Sequence, residues 1–176
     1  DTSDSAKVKK TCQINDNMYL RTDASNLAAF LYLLKIKHGD NYDAIRNTVK
    51  LVAPFFDDFI LRPNPLNEDT IRLEWKEKGS DFPFLAHHFS DGTLRFMCLA
   101  TVLLQPELPS TIIIDEPELG LHPYAIKVLA SLMKSASMKT QIIVSTQSVP
   151  LVNEFEAEDL IIVDKIDKAS VFKKVT

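Results

Sequence analysis

The run Thr-Ile-Ile-Ile-Asp at residues 111–115 constrains this chain more than any other stretch. Four of its five residues are β-branched, and it ends in an acid followed by Glu116 and Pro117. An apolar run without alternation is the pattern of a central parallel strand covered on both faces, because a strand with one wet face alternates apolar with polar. "HPYAIKVLASLMKSAS" follows and reads as a helix with Pro123 in its first turn, where the missing N–H costs nothing. "TQIIVST" is a second buried strand, "SVPLVNEF" a short helix, "DLIIVDK" a strand, and "SVFKKV" its hairpin partner. The order from Thr111 is β-α-β-α-β-β, which implies an α/β parallel sheet with right-handed crossovers.

The stretch before Thr111 is organised differently. Residues 1–17 are polar and are expected to be a disordered leader. Residues 18–69 read as a helical segment. In "ASNLAAFLYLLKIKHG", Ser25 or Asn26 can cap, Leu27, Phe30, Leu31 and Leu34 recur at helical spacing, and Gly39 ends the pattern. In "NYDAIRNTVKLVAPFF", Tyr42, Ile45, Val49 and Val52 form a second stripe, which Pro54 breaks. "TIRLEWKE" alternates Ile71, Leu73 and Trp75 with Arg72, Glu74 and Lys76, so one half-buried strand is expected with the charges outward. "FPFLAHHF" carries Pro83 and is at best an edge strand. "SDGTLRFMCLATVLLQPE" reads as a buried helix capped by Ser90 or Asp91 and ended by Pro106. Residues 70–176 form the second expected region.

Composition excludes several classes. With 176 residues the chain is long enough for one cored domain, and its net charge of −4 gives no support for nucleic-acid binding by this chain alone. Cys12 and Cys98 are far apart without metal-ligand spacing, the usage of reduced thiols in a cytoplasmic protein. No apolar run approaches the ~20 residues of a membrane span, so no membrane partner is expected.

Chemistry concentrates in two places. Asp115 ends a strand, so its carboxylate reaches the crevice where parallel sheets place ligands, and an aspartate there can hold Mg²⁺ through water. Glu116 can orient or deprotonate an attacking water. As a bare dipeptide the pair is equally a solvated strand exit. "FSDGT", Phe89 to Thr93, offers a hydroxyl, a glycine and the first N–H groups of a helix, which together suit an anion. His87 and His88 point to opposite sides of an extended segment and make a poor metal pair. Trp75 reads as a core residue, and Lys165, Lys168, Lys173 and Lys174 as a solvated hairpin. Two carboxylates at a strand exit normally work with a G-x-x-x-x-G-K-[ST] phosphate loop, and the four glycines (Gly39, Gly79, Gly92 and Gly120) form none.

From Phe89 to Ile126, "FSDGTLRFMCLATVLLQPELPSTIIIDEPELGLHPYAI" resembles the second half of an ABC-type ATPase head. The resemblance is to the RecF-like and SMC-like branch, with the overcoming-lysogenization-defect-like bacterial ATPases nearest. It covers Ser25 to Lys168 and is strongest from Phe89 to Ser148. It implies an incomplete P-loop NTPase fold: α/β, a mostly parallel sheet flanked by helices, and a helical segment before the signature motif. It implies that Ser90, Asp91, Gly92 and Thr93 cap the γ-phosphate of ATP held by a partner subunit. Asp115 matches the Walker B magnesium aspartate and Glu116 the catalytic glutamate. Gly120 and His122, in "GLHP", match the loop that crosses the dimer interface. The implied cofactors are ATP and Mg²⁺. The implied partners are a second head in a homodimer, and DNA or an effector protein in the complete system, with roles in DNA repair, DNA maintenance or phage defence.

Two departures stand against the family pattern. Gln147 occupies the position of a histidine that contacts the γ-phosphate; glutamine hydrogen-bonds but carries no proton or charge. The Walker A loop is absent, so the chain is expected to be the C-terminal part of a longer ATPase, unable to turn over ATP alone. Two other readings stay open: a non-catalytic interaction module derived from an ATPase, and a magnesium-dependent nuclease using Asp115 and Glu116, for which no further acidic cluster is visible. Without a phosphate-loop strand, the sheet beside "TIIID" should present an apolar edge prone to self-association.

Overall fold

The structure, a computed structural model, describes residues 6–175. A 3-10 turn at Lys7–Lys9 and strand β1 (Cys12–Gln13) lead into helices α1 (Leu27–Lys37) and α2 (Gly39–Val52). Short strands follow: β2 (Phe56–Ile60), β3 (Pro63–Asn64), β4 (Asn67–Ile71), β5 (Glu74–Glu77) and β6 (Phe84–Leu85). Then come α3 (Asp91–Leu104), β7 (Thr111–Asp115), α4 (Pro123–Ser137), β8 (Gln141–Ser145) and α5 (Val149–Val152). A hairpin of β9 (Ile161–Ile166) and β10 (Ala169–Lys174) closes the described chain.

Helix α3 is apolar around most of its circumference because it serves two cores. Leu94 and Met97 pack with α1, α2 and an aromatic group. In that group Trp75 stacks on Phe89 at 4.1 Å and on Phe84 at 4.8 Å, and donates from Nε1 to the Leu85 carbonyl at 3.1 Å. Phe96, Ala100 and Leu103 pack instead with Ile112 of β7 and with Leu129 and Met133 of α4. A helix gripped on opposite sides cannot shift without opening one core, so its N-terminus is a fixed point.

Several expectations are corrected. The sheet is not mostly parallel: β7 and β8 are the parallel pair, Thr111 to Asp115 in register with Gln141 to Ser145, and the other described pairings are antiparallel. β9 pairs with β10 and not with β8, because the chain after α5 turns out into a separate hairpin. β7 is not covered on both faces: Ile112 is buried against α3 and α4, whereas Ile113 is 76% exposed and Ile143 on β8 is 48% exposed. The stretch expected as one strand at 70–77 is two, β4 in a sheet ordered β1-β4-β3 and β5 in another ordered β2-β5-β6. The chain switches sheets at Arg72 and Leu73, yet Ile71, Leu73 and Trp75 all remain buried as the alternation requires. Glu74 is not outward but 5% exposed. Its carboxylate accepts from Arg72 Nε at 2.7 Å and Arg62 at 3.3 Å, the pairing that makes a buried acid tolerable. Among the described residues, no helix is long and apolar enough to cross a membrane.

The leader is also ordered where it is described. Residues 1–5 lie outside the described residues, but Ala6 and Val8 are buried in the first core, and Cys12–Gln13 pairs with β4. Asn26 organises the following loop. It sits at the N-cap position of α1, but its side chain makes no cap bond. It accepts instead from Arg21 N–H at 2.9 Å and donates to the carbonyls of Asp16 and Tyr19, both at 2.8 Å, while fully buried. Three bonds at about 1 kcal/mol each, with backbone groups left unpaired when they are lost, make Asn26→Ala cost about 3 kcal/mol. The expected result is a lower midpoint in urea unfolding with an unchanged slope; an unchanged midpoint contradicts the role.

Candidate functional site

Ser90 holds the extended backbone of an N-cap, with φ −62° and ψ 151°. Its Oγ accepts from Thr93 N–H at 3.1 Å and lies 2.8 Å from Thr93 Oγ1. The first turn of α3 thus offers two hydroxyls beside the positive end of the helix dipole. Asp91 is exposed and pairs at 2.9 Å with Lys9 Nζ, whose side chain is 6% exposed. The segment expected to be a disordered leader therefore braces the first turn of α3.

Gly92 is buried against the backbone of Gly120. A Cβ at Gly92 would collide with the Gly120 carbonyl oxygen and lie 2.8 Å from its carbon. Gly120 itself has φ +77°, the left-handed region that glycine enters without penalty. It lies in the second of two successive tight turns, the first closed by Leu119 N–H donating to the Glu116 carbonyl at 3.2 Å and the second by Leu121 N–H donating to the Glu118 carbonyl at 2.9 Å.

Asp115 ends β7 opposite Ser145 of β8, and the Ser145 hydroxyl donates to Asp115 Oδ1. Asp115 is exposed at the carboxyl end of the parallel pair, and among the described residues its Oδ2 has no hydrogen-bond partner. Glu116 is half-buried and adopts φ +42°, a left-handed conformation that a residue with a side chain enters at a cost. Its N–H donates to the Ser145 carbonyl at 2.9 Å, and its carbonyl accepts from Arg95 of α3 at 3.1 Å. Glu118 accepts from the Thr146 hydroxyl, and its Oε2 is buried without a partner among the described residues. Thr146 Oγ1 also accepts from Ser148 N–H at 3.0 Å, so the turn carrying the exposed Gln147 is closed on itself and is joined to the Asp115–Glu118 loop through Ser145 and Thr146.

The structure therefore brings Gly92, in the capped turn of Ser90, Asp91 and Thr93, against Gly120, and sets Asp115 and Glu116 beside Ser145 at the start of the turn that bears Gln147. His122 has a separate local task. It is the N-cap of α4, its Nδ1 accepting from Tyr124 N–H at 3.4 Å while the residue stays exposed. Sequence reasoning missed Lys9, Arg95, Glu118, Ser145 and Thr146. Arg95 carried a usable signal, because it lies four residues after Asp91 and three after Gly92, on the same helical face.

The donor set suits magnesium. Mg²⁺ takes one or two carboxylates and completes its shell with water and substrate phosphates. Asp115 supplies a carboxylate with a free oxygen, and among the described residues no group of three or more His, Cys, Asp or Glu is placed to hold an ion unaided. At Gly92 the space of the missing side chain is taken by the Gly120 backbone, so the groups of the α3 turn that suit an anion are the Ser90 and Thr93 hydroxyls and the first N–H groups of the helix.

A family profile described as "AAA domain, putative AbiEii toxin, Type IV TA system" matches residues 14–153. No curated protein matches the chain. Among solved structures, one described as the structural biochemistry of ATP-driven dimerization and DNA-stimulated activation of SMC ATPases superposes with TM-score 0.61 at 20% identity, over 83% of this chain and 89% of that one. An Smc head bound to the C-winged helix domain of ScpA gives 0.65 at 19% identity, over 91% of this chain and 48% of that one. An Smc head with an extended coiled coil, bound to the C-terminal domain of ScpA from Pyrococcus furiosus, gives 0.57 at 21% identity, over 86% and 41%. The chain thus has the fold of an SMC ATPase head and spans less than half the length of the latter two structures.

The Gly92–Gly120 approach leaves no room for a methyl group between two backbones. Gly92→Ala is expected to destabilise by about 1–3 kcal/mol through overpacking. Thermal unfolding checks this; a variant as stable as the parent shows that the loop is free to move away from α3.

Proposed function

The chain belongs to this family of AAA domains, and on that premise we propose that it forms the signature and catalytic-glutamate part of an ABC-type ATPase that hydrolyses ATP between two heads. The observation that carries the reading is the Gly92–Gly120 contact. It places the anion-suited turn of α3 beside the loop that continues from Asp115 and Glu116, within one rigid corner.

Each residue then has a physical task. Ser90 and Thr93 present hydroxyls, and the first N–H groups of α3 a positive dipole, to the terminal phosphate of nucleotide held by the second head. Asp115, one of whose carboxylate oxygens accepts from Ser145, would hold Mg²⁺. When bound there, Mg²⁺ would supply neutralisation of charge on the phosphate oxygens. Glu116 orients a water and takes its proton. Gln147 hydrogen-bonds to the water or phosphate without taking up charge. Gly120 and His122 lie in an exposed loop and face the second head. The phosphate loop that this arrangement requires comes from residues outside these 176. The solved SMC structures are described with ATP-driven dimerization, DNA stimulation and ScpA. That supports a homodimer working with DNA or an effector protein, in DNA maintenance or phage defence.

The missing G-x-x-x-x-G-K-[ST] and the uncharged Gln147 favour a second reading, a non-catalytic docking module. Against it stands Glu116 in a strained conformation with its backbone clamped on both sides, an arrangement that folding alone does not require. Glu116→Gln in the full-length protein is expected to lower ATP turnover by about 10²–10⁴-fold while ATP stays bound. Turnover and retained nucleotide are measured together. Normal turnover in the variant refutes the role of Glu116, and absence of both turnover and MgATP binding in the unmodified full-length protein establishes the docking reading.

A further inference from the structure

We propose that Arg95 is a positioning residue for Glu116, setting the strained backbone of the glutamate from within the signature helix. This rests on the role proposed above for Glu116.

Residue 116 would continue β7 if the strand ran on, and its side chain would then alternate away from that of Asp115. At φ +42° the chain turns within that single residue, so the direction of the Glu116 side chain is set by whatever holds its two peptide groups. The preceding peptide is held by Ser145, whose carbonyl accepts the Glu116 N–H at 2.9 Å. The following peptide is held by Arg95, which donates from Nη1 to the Glu116 carbonyl at 3.1 Å. Leu119 N–H shares that carbonyl at 3.2 Å, a local turn bond that moves with the loop and anchors it to nothing else. Arg95 is thus the direct hydrogen bond from the rest of the protein to the carbonyl side of Glu116.

The donor comes from an informative place. Arg95 lies one helical turn past Asp91 on α3, the helix gripped by both cores. Gly92 on that helix touches Gly120 four residues beyond Glu116. The turn of α3 that would face one nucleotide and the glutamate that would serve the other are therefore linked by a charged hydrogen bond and a backbone contact. A guanidinium also suits a strained carbonyl. Its charge strengthens the bond, and its planar fork restricts the direction from which it donates. Lysine can reach a carbonyl with a charge, but without that directional constraint.

The test uses the full-length protein with Arg95→Gln, Arg95→Lys and Glu116→Gln, read for ATP turnover, for MgATP affinity and for amide exchange at Leu119 and Leu121. Arg95→Gln is expected to reduce kcat roughly ten- to a hundredfold, the effect of misplacing a catalytic group, with nucleotide affinity held within about twofold. Arg95→Lys should recover part of the loss, because it keeps the charge without the directional constraint. Amide exchange at Leu119 and Leu121 should accelerate in Arg95→Gln while exchange in α1 and α2 stays the same. A wild-type kcat in Arg95→Gln, or unchanged exchange in the loop, overturns the positioning role. So does a loss of kcat and affinity in step with general unfolding. If Glu116→Gln turns over normally, the catalytic reading of Glu116 fails first. If Glu116→Gln is inactive and Arg95→Gln is not, the inference about Arg95 alone fails.

Discussion

The contact between Gly92 and Gly120 is the constraint on which the rest of the site depends. Two backbones meet where neither can carry a side chain, one because a Cβ has no space and the other because its φ is +77°. Such a contact has little tolerance for sliding. It fixes the loop after β7 to the first turn of α3, and α3 is itself held between two hydrophobic cores. The geometry of the site is therefore inherited from core packing through a rigid helix. Interiors packed at crystal-like density transmit that constraint with little give.

The opposing quantity is the strain at Glu116. A left-handed conformation at a residue with a side chain costs about 1–3 kcal/mol. Three hydrogen bonds meet at its two peptide groups, from Arg95 and Leu119 to its carbonyl and from its own N–H to Ser145. At about 1 kcal/mol net for each, they offset that cost. The strain persists because three separate elements (α3, β8 and the loop itself) determine the same two peptides. The Thr146–Glu118 bond extends the clamp to the start of the turn that carries Gln147.

The sequence was most legible where local chemistry decides structure. The cap at Ser90, the all-round apolar α3, Pro123 at the start of α4 and the β9–β10 hairpin all follow from short-range rules, and each is found. The residues Ser90 to Thr93, Asp115, Glu116 and Gly120 stood out in the sequence because capping residues with a glycine precede a buried apolar run and two acids end a β-branched one, whereas Glu118 gave no such signal. Long-range choices were not. Nothing in "TIRLEWKE" says that the chain changes sheets at Arg72, since both halves keep the same burial alternation. Glu74 reads as a surface charge until Arg62, twelve residues earlier, is placed over it. Lys9 and Val8 sit in a polar stretch whose composition predicts disorder, and a buried lysine stem is invisible until Asp91 appears beside it.

Why hydroxyls rather than packing hold Asp115 and the turn of Gln147 follows from the two-stranded parallel pair. Parallel strands are ordinarily fixed by helices on both faces. Here α3 and α4 cover the Ile112 face, while Ile113 and Ile143 stand exposed on the other. Burial therefore restrains β7 and β8 from one side. At their carboxyl ends Ser145 bonds to the carboxylate of Asp115, and Thr146 to that of Glu118. These bonds run between the strand ends and do not depend on the uncovered face. The main-chain ladder sets the register of β7 on β8, and the side-chain bonds reinforce it at the end where the carboxylates project. Placement of Asp115 and Glu116 is thus carried by polar contacts to β8 and α3, and the uncovered face bears on stability more than on the geometry of the site.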